Sequence, residues 1–410
     1  MLRTLRSVLR FRRFEWNANR RLLARSADVW DLREAARKRL PRGCFDYIDG
    51  AAEDELTQER NVEAFRRLEF RPRVLRGVGD VDCSATLLGR RVPMPLVLAP
   101  TGFTRIADPQ GELAVARAAE RAGVPYALST MGTRSIEEVA ATAPEADRWF
   151  QLYVWRDRGL VQALIDRAEA AGYSTLCLTV DTPVLGRRER DHRRGFTLPP
   201  KVGLDTVFDG ILHPRWTWAF VRSEPILFAN IVGSAVGDGS DAVSLSEQAA
   251  HQFDPDLSWD DVAWCRERWR GSFVVKGVQT VEDAVLAADA GADAIAVSNH
   301  GGRQLDGAPP ALELVPGIAE AVGGRVQVIC DGGIRRGADI VKAIALGADA
   351  AMAGRAYLYA LGAAGELGVD WLLERFRADV ERTLALLGCR SLAELGPEHV
   401  RRRDDHVARS

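Results

Sequence analysis

The sequence predicts one α/β fold: a (β/α)8 TIM barrel with an N-terminal helical cap and a long insertion between its fourth and fifth strands. Three observations carry this expectation. From residue 96 onward, eight short apolar runs alternate with amphipathic stretches. Most of the runs are continuously apolar, as parallel strands buried on both faces must be. Two segments echo each other, AGADAIAVSN at 290–299 and LGADAAMAGR at 346–355, and both read as helix end, short loop and strand, the repeating unit of such a barrel. An open doubly wound sheet is the competing arrangement, and the lack of a G-x-G-x-x-G after an early strand argues against it.

The elements follow in order. Residues 1–27 form a basic extension: over the first 25 residues, eight arginines (Arg3, Arg6, Arg10, Arg12, Arg13, Arg20, Arg21, Arg25) face only Glu15, a net charge of +7. Leu2, Leu5, Val8, Leu9 and Phe11 interleave with them. Two readings stand, a peripheral anchor on an anionic membrane surface and a solvated tail. Residues 28–75 read as the helical cap, within a main domain expected to span 28–400. Strands are expected at Leu96–Pro100, Tyr126–Thr130, Phe150–Tyr153, Thr175–Asp181, Phe273–Gly277, Ala294–Ser298, Val326–Asp331 and Ala350–Gly354. Glu112–Ala122, Leu160–Ala171, Val281–Ala290, Ala338–Leu346 and Trp371–Leu387 carry helical spacing. The barrel core should run from about 96 to 388, interrupted at about 182–272 by a connection long enough to act as a lid or binding segment. Its Trp216, Trp218 and Phe220 could touch a membrane or a partner, or cover the barrel mouth. Residues 388–410 read as polar, with 401–410 a polar tail.

Composition narrows the function classes. The chain has 410 residues, 47% hydrophobic and 27% charged, with a net charge of −2. That is ordinary for a globular protein and argues against a nucleic-acid partner. Six dispersed cysteines without a C-x-x-C pair, and six dispersed histidines without H-E-x-x-H, point to free thiols and to no metal site. No apolar run approaches the ~20 residues of a membrane span, and the N-terminus lacks the apolar core of a signal peptide. The expected location is the cytoplasm, peripheral on the inner face of the cell membrane if the basic extension is an anchor.

Barrel chemistry collects at the C-terminal ends of the strands. Those ends here are Pro100-Thr101-Gly102, Ser129, Gln151 and Tyr153, Thr179 and Asp181, Lys276, Ser298 and His300, Asp331-Gly332-Gly333, and Gly354-Arg355. Nearly every one carries a hydrogen-bonding or charged group, which a random core would not do. After the sixth strand, S-N-H-G-G-R-Q-L-D sets His300 and Arg303 on one glycine-bearing turn. An imidazole with a pKa near ~6.5 and a fixed cation can hold a carboxylate and take a proton from the neighbouring carbon. After the seventh and eighth strands, Asp331-Gly332-Gly333-Ile334-Arg335 and Gly354-Arg355 offer exposed N–H groups and bidentate cations, fitting a phosphate. Lys276 could stabilise negative charge on a reduced ring, form a Schiff base, or sit in a buried ion pair; a solvated mouth argues against the last.

The motifs FDYIDGAAEDE, LAPTGF, LST, FQLYVWRDR, LTVDTPVLGRRERD, VVKGV, SNHGGRQLDG, DGGIRRG and GRAYLY together resemble the FMN-dependent L-2-hydroxy acid oxidase/dehydrogenase family, from about residue 28 to 400. SNHGGRQLD is the most specific. Within the family the chain is most similar to bacterial (actinobacterial) L-lactate dehydrogenases, including the arginine-rich extension.

The resemblance implies FMN as cofactor and oxidation of an L-2-hydroxy acid, L-lactate to pyruvate, with electrons passing to a quinone or other carrier. The alternative is an oxidase that uses oxygen and gives hydrogen peroxide. It implies His300 as the base, Asp181 as the carboxylate orienting it, Arg303, Tyr47 and the more mobile Arg188 as carboxylate ligands, and Tyr153 as a bond to the substrate hydroxyl. Pro100, Thr101 and Gly102 would pass the flavin; Ser129, Gln151, Thr179, Lys276 and Ser298 would contact its ring or ribityl chain. Asp331, Gly332, Gly333, Arg335, Gly354 and Arg355 would hold the ribityl and phosphate groups. A homotetramer is implied as well. Met131 stands where glycolate oxidase has a tryptophan, Ile48 replaces a tyrosine and Gly102 an alanine. The first puts glycolate preference in doubt and the third resembles dehydrogenase members. A flavin-using isomerase without net redox, and a non-enzymatic scaffold, are the readings from other classes. Neither explains His300, Arg303 and Tyr47 together.

Overall fold

The computed structural model of the chain describes residues 15–193, 203–231 and 253–403. Eight strands, β1 (Leu96–Leu98), β2 (Tyr126–Ser129), β3 (Arg148–Leu152), β4 (Thr175–Thr179), β5 (Ser272–Val278), β6 (Ala294–Ser298), β7 (Gln327–Asp331) and β8 (Ala350–Ala353), close into one parallel barrel. All eight lie where the apolar runs place them, within two residues at either end.

Alternation along the strands splits the core in two. One apolar cluster gathers Val97, Ala127, Trp149, Cys177, Val274, Ala294, Ala296, Ile329, Ala350 and Met352. These inward residues fill the barrel, the alanines making room for Trp149 and Met352, so the interior is packed rather than a pore. Leu87 and Val92, from the antiparallel hairpin Ala85–Leu87/Arg90–Val92, join the same cluster. Gln327, at the start of β7, accepts from the Leu88 N–H at 2.7 Å and donates to the Thr86 carbonyl at 3.0 Å. The hairpin thus plugs the N-terminal end and leaves the C-terminal end as the mouth. The larger cluster lies between strands and outer helices.

Local rules explain the helix ends. Ser135 and Glu138 form a reciprocal capping box before Ile136–Thr142, Asp157 caps Arg158–Ala170 and Thr280 caps Val281–Asp289, each satisfying an orphan first-turn N–H. Ile136–Thr142, Ala311–Val322 and Arg355–Ala364 are helices beyond those expected. Ala311–Val322 carries Pro316 inside it, a residue that obscures helical spacing in a sequence.

Two segments differ from the sequence reading. The acidic–aromatic end of the long connection is the outer helix Trp259–Arg268, which buries Val262 and Cys265. Asp260 and Asp261 sit in its first turn, where carboxylates favour the helix N-terminus. Arg401 and Arg402, assigned to a polar tail, form with Val400 a strand antiparallel to Leu68–Phe70. The ladder pairs Leu68 with Arg402, Glu69 with Arg401 and Phe70 with Val400, and only Leu68 and Val400 are buried, too short an apolar pattern to announce a strand. Of the basic extension, residues 18–23 form a helix whose Asn19 side chain donates to the Ala364 carbonyl at 3.0 Å. Residues 1–14, Pro199-Pro200 and 404–410 lie outside the described residues.

The cap is three helices, Val29–Arg39, Arg42–Asp49 and Leu56–Arg67. Asp49, only 1% exposed, ties them to the barrel. Its carboxylate accepts from Arg33 at 2.6 and 2.7 Å, from Arg190 at 2.9 Å and from the Tyr359 hydroxyl at 2.6 Å. Burial would raise its pKa, but the bonds from Arg33 and Tyr359, with Arg190, outweigh that and hold the carboxyl at about 2, against 3.8. A depressed carboxyl pKa contributes stability above pH ~4 that is lost as pH falls toward ~2, here roughly 2 kcal/mol at 1.36 kcal/mol per unit. Chemical denaturation should find Asp49→Asn less stable than wild type at pH 7, with the gap narrowing by pH 3; a gap that does not change with pH would show that the ion pairs do not set it.

Candidate active site

The barrel register builds the site. Ser129 lies opposite Gln151, Thr179 opposite Lys276, and Ser298 opposite Asp331, so three polar pairs share one ring at the mouth. Of the residues expected from sequence, Pro100, Thr101, Gly102, Ser129, Tyr153, Thr179, Lys276, His300, Arg303, Asp331, Gly332, Gly333, Arg335, Gly354 and Arg355 line one pocket, together with Tyr47 from the cap and Arg188 from the loop after β4.

Asp181, Gln151 and Ser298 are not part of that lining and stand one layer behind it. Asp181 Oδ1 meets His300 Nδ1 at 3.0 Å. The Gln151 carbonyl oxygen accepts from the Ser129 hydroxyl at 3.0 Å. The Ser298 hydroxyl donates to Asp331 Oδ2 at 2.8 Å and accepts from Lys276 Nζ and the His300 N–H, both at 3.0 Å. Ser298 therefore locks β5, β6 and β7 together instead of presenting its hydroxyl to the pocket.

His300 is held under constraint. Its φ is +56°, a left-handed conformation that a non-glycine residue adopts only where its surroundings impose it. The side chain keeps 19% exposure while Asp181 keeps 6%. Burial lowers the imidazole pKa and Asp181 partly offsets that. Burial pushes Asp181 up, but His300 and then Lys276 outweigh it and leave the carboxyl below its ordinary value. The pair at neutral pH is thus a neutral imidazole beside a carboxylate, with Nδ1 engaged and Nε2 left as the working nitrogen. Gly277, at φ +108°, makes room for the carboxylate: a Cβ there would come within 2.7 Å of Asp181 Cβ and Cγ.

Lys276 is 4% exposed and its Nζ lies 2.8 Å from Asp331 Oδ2. The buried ion pair that a solvated mouth argued against is formed, because packing from β4 to β7 seals this depth of the barrel. Asp331 and Asp181 together outweigh burial and raise the ammonium pKa, so the lysine is a permanent cation and not an amine nucleophile.

The remaining cations lack such partners. Among the described residues no carboxylate lies within 4.0 Å of Arg303, Arg335 or Arg355 in the ion pairs formed. Arg303 donates to the Tyr47 and Gly50 carbonyls at 2.7 and 2.9 Å, and Arg355 to the Gly301 and Gly50 carbonyls at 2.7 and 2.6 Å. Burial, with repulsion among these guanidiniums, lowers Arg303 to about 10 and Arg355 to about 9. The Nε atoms of Arg188, Arg335 and Arg355, the Gln151 amide nitrogen and the Thr179 hydroxyl are buried without a partner. Uncompensated buried charge of one sign calls for ligands of the other.

These groups fit FMN. Arg335 and Arg355, beside the glycines at the ends of β7 and β8, suit a phosphate. The unpartnered Gln151 and Thr179 groups on β3 and β4 suit the polar edge of a flat ring. Arg303 and Arg188 on the other side of the mouth remain for a second anion, such as a substrate carboxylate.

Several lining residues carried no signal in the sequence. Phe253 lines the pocket with its ring 5.2 Å from that of Tyr153 and its backbone bridged to Trp155. A lone phenylalanine within a long insertion gives no hint of where the chain meets the barrel. Leu185, Phe103 and Leu358 are further apolar wall. Met131 and Gly102 are coupled: a Cβ at Gly102 would sit 3.1 Å from Met131 Cβ.

Comparison with known proteins agrees with this geometry. A family model described as FMN-dependent dehydrogenase matches residues 36–402. The chain is 46% identical to an L-lactate dehydrogenase of Caulobacter vibrioides, over 89% of this chain and 95% of that one. It is 45% identical to a provisionally named L-lactate dehydrogenase of Mycobacterium tuberculosis, over 97% and 95%. A rice glycolate oxidase is 43% identical over 93% of this chain and 97% of that one. The crystal structure of the monotopic membrane protein (S)-mandelate dehydrogenase superposes with a TM-score of 0.89 at 41% identity, covering 92% of this chain and 100% of that one.

The Asp181 contact makes a measurable claim. Asp181→Asn removes the charge that offsets burial at His300, so the imidazole pKa should fall further, as read by NMR titration with His300→Gln identifying the resonance. An unchanged or raised value would remove Asp181 as the stabiliser of the imidazolium.

Proposed function

The chain belongs to the FMN-dependent dehydrogenase family, and from that premise we propose that it oxidises an L-2-hydroxy acid, L-lactate to pyruvate. The observation that carries this is the pocket's two unpaired cationic ends on either side of a neutral, oriented imidazole. FMN, when bound, supplies the acceptor for the two electrons that leave with two protons as lactate becomes pyruvate. Arg335 and Arg355 would hold its phosphate with Gly332, Gly333 and Gly354. Pro100, Thr101, Gly102, Ser129, Gln151, Thr179 and Ser298 would surround or brace its ring and ribityl chain. Asp331 and Lys276 lie beside it, and the fixed ammonium would balance negative charge there.

The protein's own part is binding, orientation and proton transfer. Arg303, with Arg188 and Tyr47, holds the substrate carboxylate. Tyr153, whose hydroxyl burial keeps protonated, orients the substrate oxygen. His300 Nε2 accepts the proton, while Asp181 fixes the Nδ1–H tautomer and stabilises the imidazolium formed. His300 must start neutral, so the rate should fall as pH drops through its lowered pKa, below ~6.5.

We propose a quinone or another carrier as the electron acceptor, on the family resemblance; the names of the lactate dehydrogenase relatives give a dehydrogenase and no acceptor. Release of hydrogen peroxide from oxygen is the competing outcome, supported by the glycolate oxidase relative. A homotetramer rests on resemblance alone, and light scattering of the pure protein tests it.

The reading extends to a membrane surface. Helices Leu204–Leu212 and Pro214–Arg222 leave Phe208, Ile211, Leu212, Trp218 and Val221 more than 60% exposed, with Arg215 and Arg222 beside them. No helix among the described residues is long and apolar enough to cross a membrane. A short apolar face edged with arginine suits lying on an anionic bilayer. A similar protein carries the name monotopic membrane protein. We assign this face to peripheral docking on the inner leaflet.

Under anaerobic conditions L-lactate should bleach the flavin band near ~450 nm, and His300→Gln should slow this about 10²- to 10⁴-fold while retaining FMN. Normal bleaching of that variant would remove His300 as the base; an unbleached wild type would move the substrate to another hydroxy acid. Turnover with a quinone analogue should exceed turnover with oxygen. Co-sedimentation with anionic vesicles should be lost in the double variant Phe208→Ser, Trp218→Ser, and unchanged binding would discard the docking face.

A further inference from the structure

A cap residue outside the pocket lining reaches both ends of the pocket. Asn61, on the helix Leu56–Arg67, and Asn299, immediately before His300, are each 2% exposed. Their side chains form a reciprocal pair: Asn61 Nδ2 donates to Asn299 Oδ1 at 2.8 Å, and Asn299 Nδ2 donates to Asn61 Oδ1 at 2.9 Å. The orientation of Asn299 is set independently. Its Nδ2 also donates to the Pro309 carbonyl at 2.9 Å, and its Oδ1 also accepts from the Gly302 N–H at 3.2 Å. Turning that amide over would set oxygen against oxygen and N–H against N–H, so Asn61 must offer one donor and one acceptor, which only a carboxamide does at this length.

The bond to Gly302 closes the left-handed turn in which His300 stands at φ +56° and Gly301 at φ +65°. The same helix touches the other anion end. A Cβ on Gly333 would come 2.1 Å from the Asn61 carbonyl oxygen, and one on Gly332 would come 3.4 Å from the Asn61 side chain. The start of the helix is pinned to the His300 segment too: the Thr57 N–H donates to Asp306 Oδ1 at 2.8 Å. Asn61 is thus packed against both the turn that carries His300 and Arg303 and the turn that carries Gly332, Gly333 and Arg335.

We infer that Asn61 is a positioning residue that sets the His300 turn through Asn299 and braces the Gly332–Gly333 turn through its backbone. This rests on the function proposed above. A fully buried amide pair stays satisfied or costs heavily, so its loss moves the turn and not merely the bond. A displacement of about 1 Å at a reacting group is enough for an effect on the order of 10²-fold.

The test uses the full-length protein with FMN removed and restored. Asn61→Asp keeps the shape but withdraws the donor; Asn61→Ala withdraws both bonds without burying a charge, should the aspartate variant fail to fold. At saturating FMN, both should slow anaerobic bleaching by L-lactate roughly 10- to 100-fold and move the acid limb of its pH profile. Asn299→Ala should do the same or more, since it also loses the bonds to Pro309 and Gly302, and the double variant Asn61→Ala, Asn299→Ala should be no slower than Asn299→Ala alone, since Asn61 acts through Asn299. Asn61→Ala also removes the side chain packed against Gly332, so fluorescence titration should show weaker FMN binding by its apo form. Variants that lose melting temperature but keep the wild-type rate, pH limb and FMN affinity would overturn the inference. So would an additive double variant. A wild type that binds FMN but is not bleached by lactate would instead fail the substrate reading, and the FMN titration would still decide whether Asn61 braces the cofactor turn.

Discussion

Closing eight parallel strands in one register forces every strand to end on the same ring, and the rest of this molecule depends on that constraint. Polar groups at the ends of β2 to β7 meet because the barrel twist gives them no other place. Serine, glutamine, threonine, lysine and aspartate become opposed pairs at one depth. The hairpin plug makes the constraint one-sided. With Leu87 and Val92 packed into the lower barrel, charge can be stored only at the upper end.

What accumulates there is positive charge without matching carboxylates. Lys276 has Asp331. Arg303 and Arg355 donate to backbone carbonyls and form no ion pair, and burial, then repulsion from neighbouring guanidiniums, lowers their pKa values. Fixed guanidiniums inside a protein wall repel one another and are poorly hydrated. Bound anions would relieve that, and the function proposed above places a phosphate and a carboxylate there. Asp181 is a carboxylate spent on one imidazole: burial keeps the ring neutral, and Asp181 readies it to accept a proton. On the function proposed above the separation of roles is physical: arginines charged at neutral pH bind, and the imidazole exchanges protons.

Local strain and the cap belong to the same design. His300 stands in a left-handed conformation, which costs of order 1–3 kcal/mol unless its surroundings impose it. Some of those surroundings are neighbours in the chain and the last lies far away in sequence. Ser298 holds the His300 N–H, Asn299 closes the turn on Gly302, and the cap helix fixes Asn299. Asp49 performs the equivalent task for the helix that carries Tyr47, gathering Arg33, Arg190 and Tyr359 from three parts of the chain. The cap is the side of the active site that the barrel cannot supply.

Much of this was legible in the residues alone. Unbroken apolar runs mark strands buried on two faces, so all eight strands could be placed, and because strand ends meet by topology, the polar residues after them could be assigned to one mouth. The SNHGGRQLD turn announced its chemistry because a histidine, two glycines and an arginine are needed within a few residues of each other. Other features depend on contacts between distant segments, which no local pattern encodes. Ser298 turns inward to tie three strands, Lys276 pairs with Asp331 across β6, Phe253 reaches back from within the insertion to line the pocket, and Arg401 and Arg402 leave an apparent tail to pair with Leu68–Phe70. By itself, the sequence determined the period of the elements and the chemical kind of group at each strand end, because those follow from local hydrophobic pattern and side-chain type. Only the tertiary structure decided which groups face the ligand, which brace their neighbours and which charges remain unpaired, because burial and partnership are properties of packing and not of order along the chain.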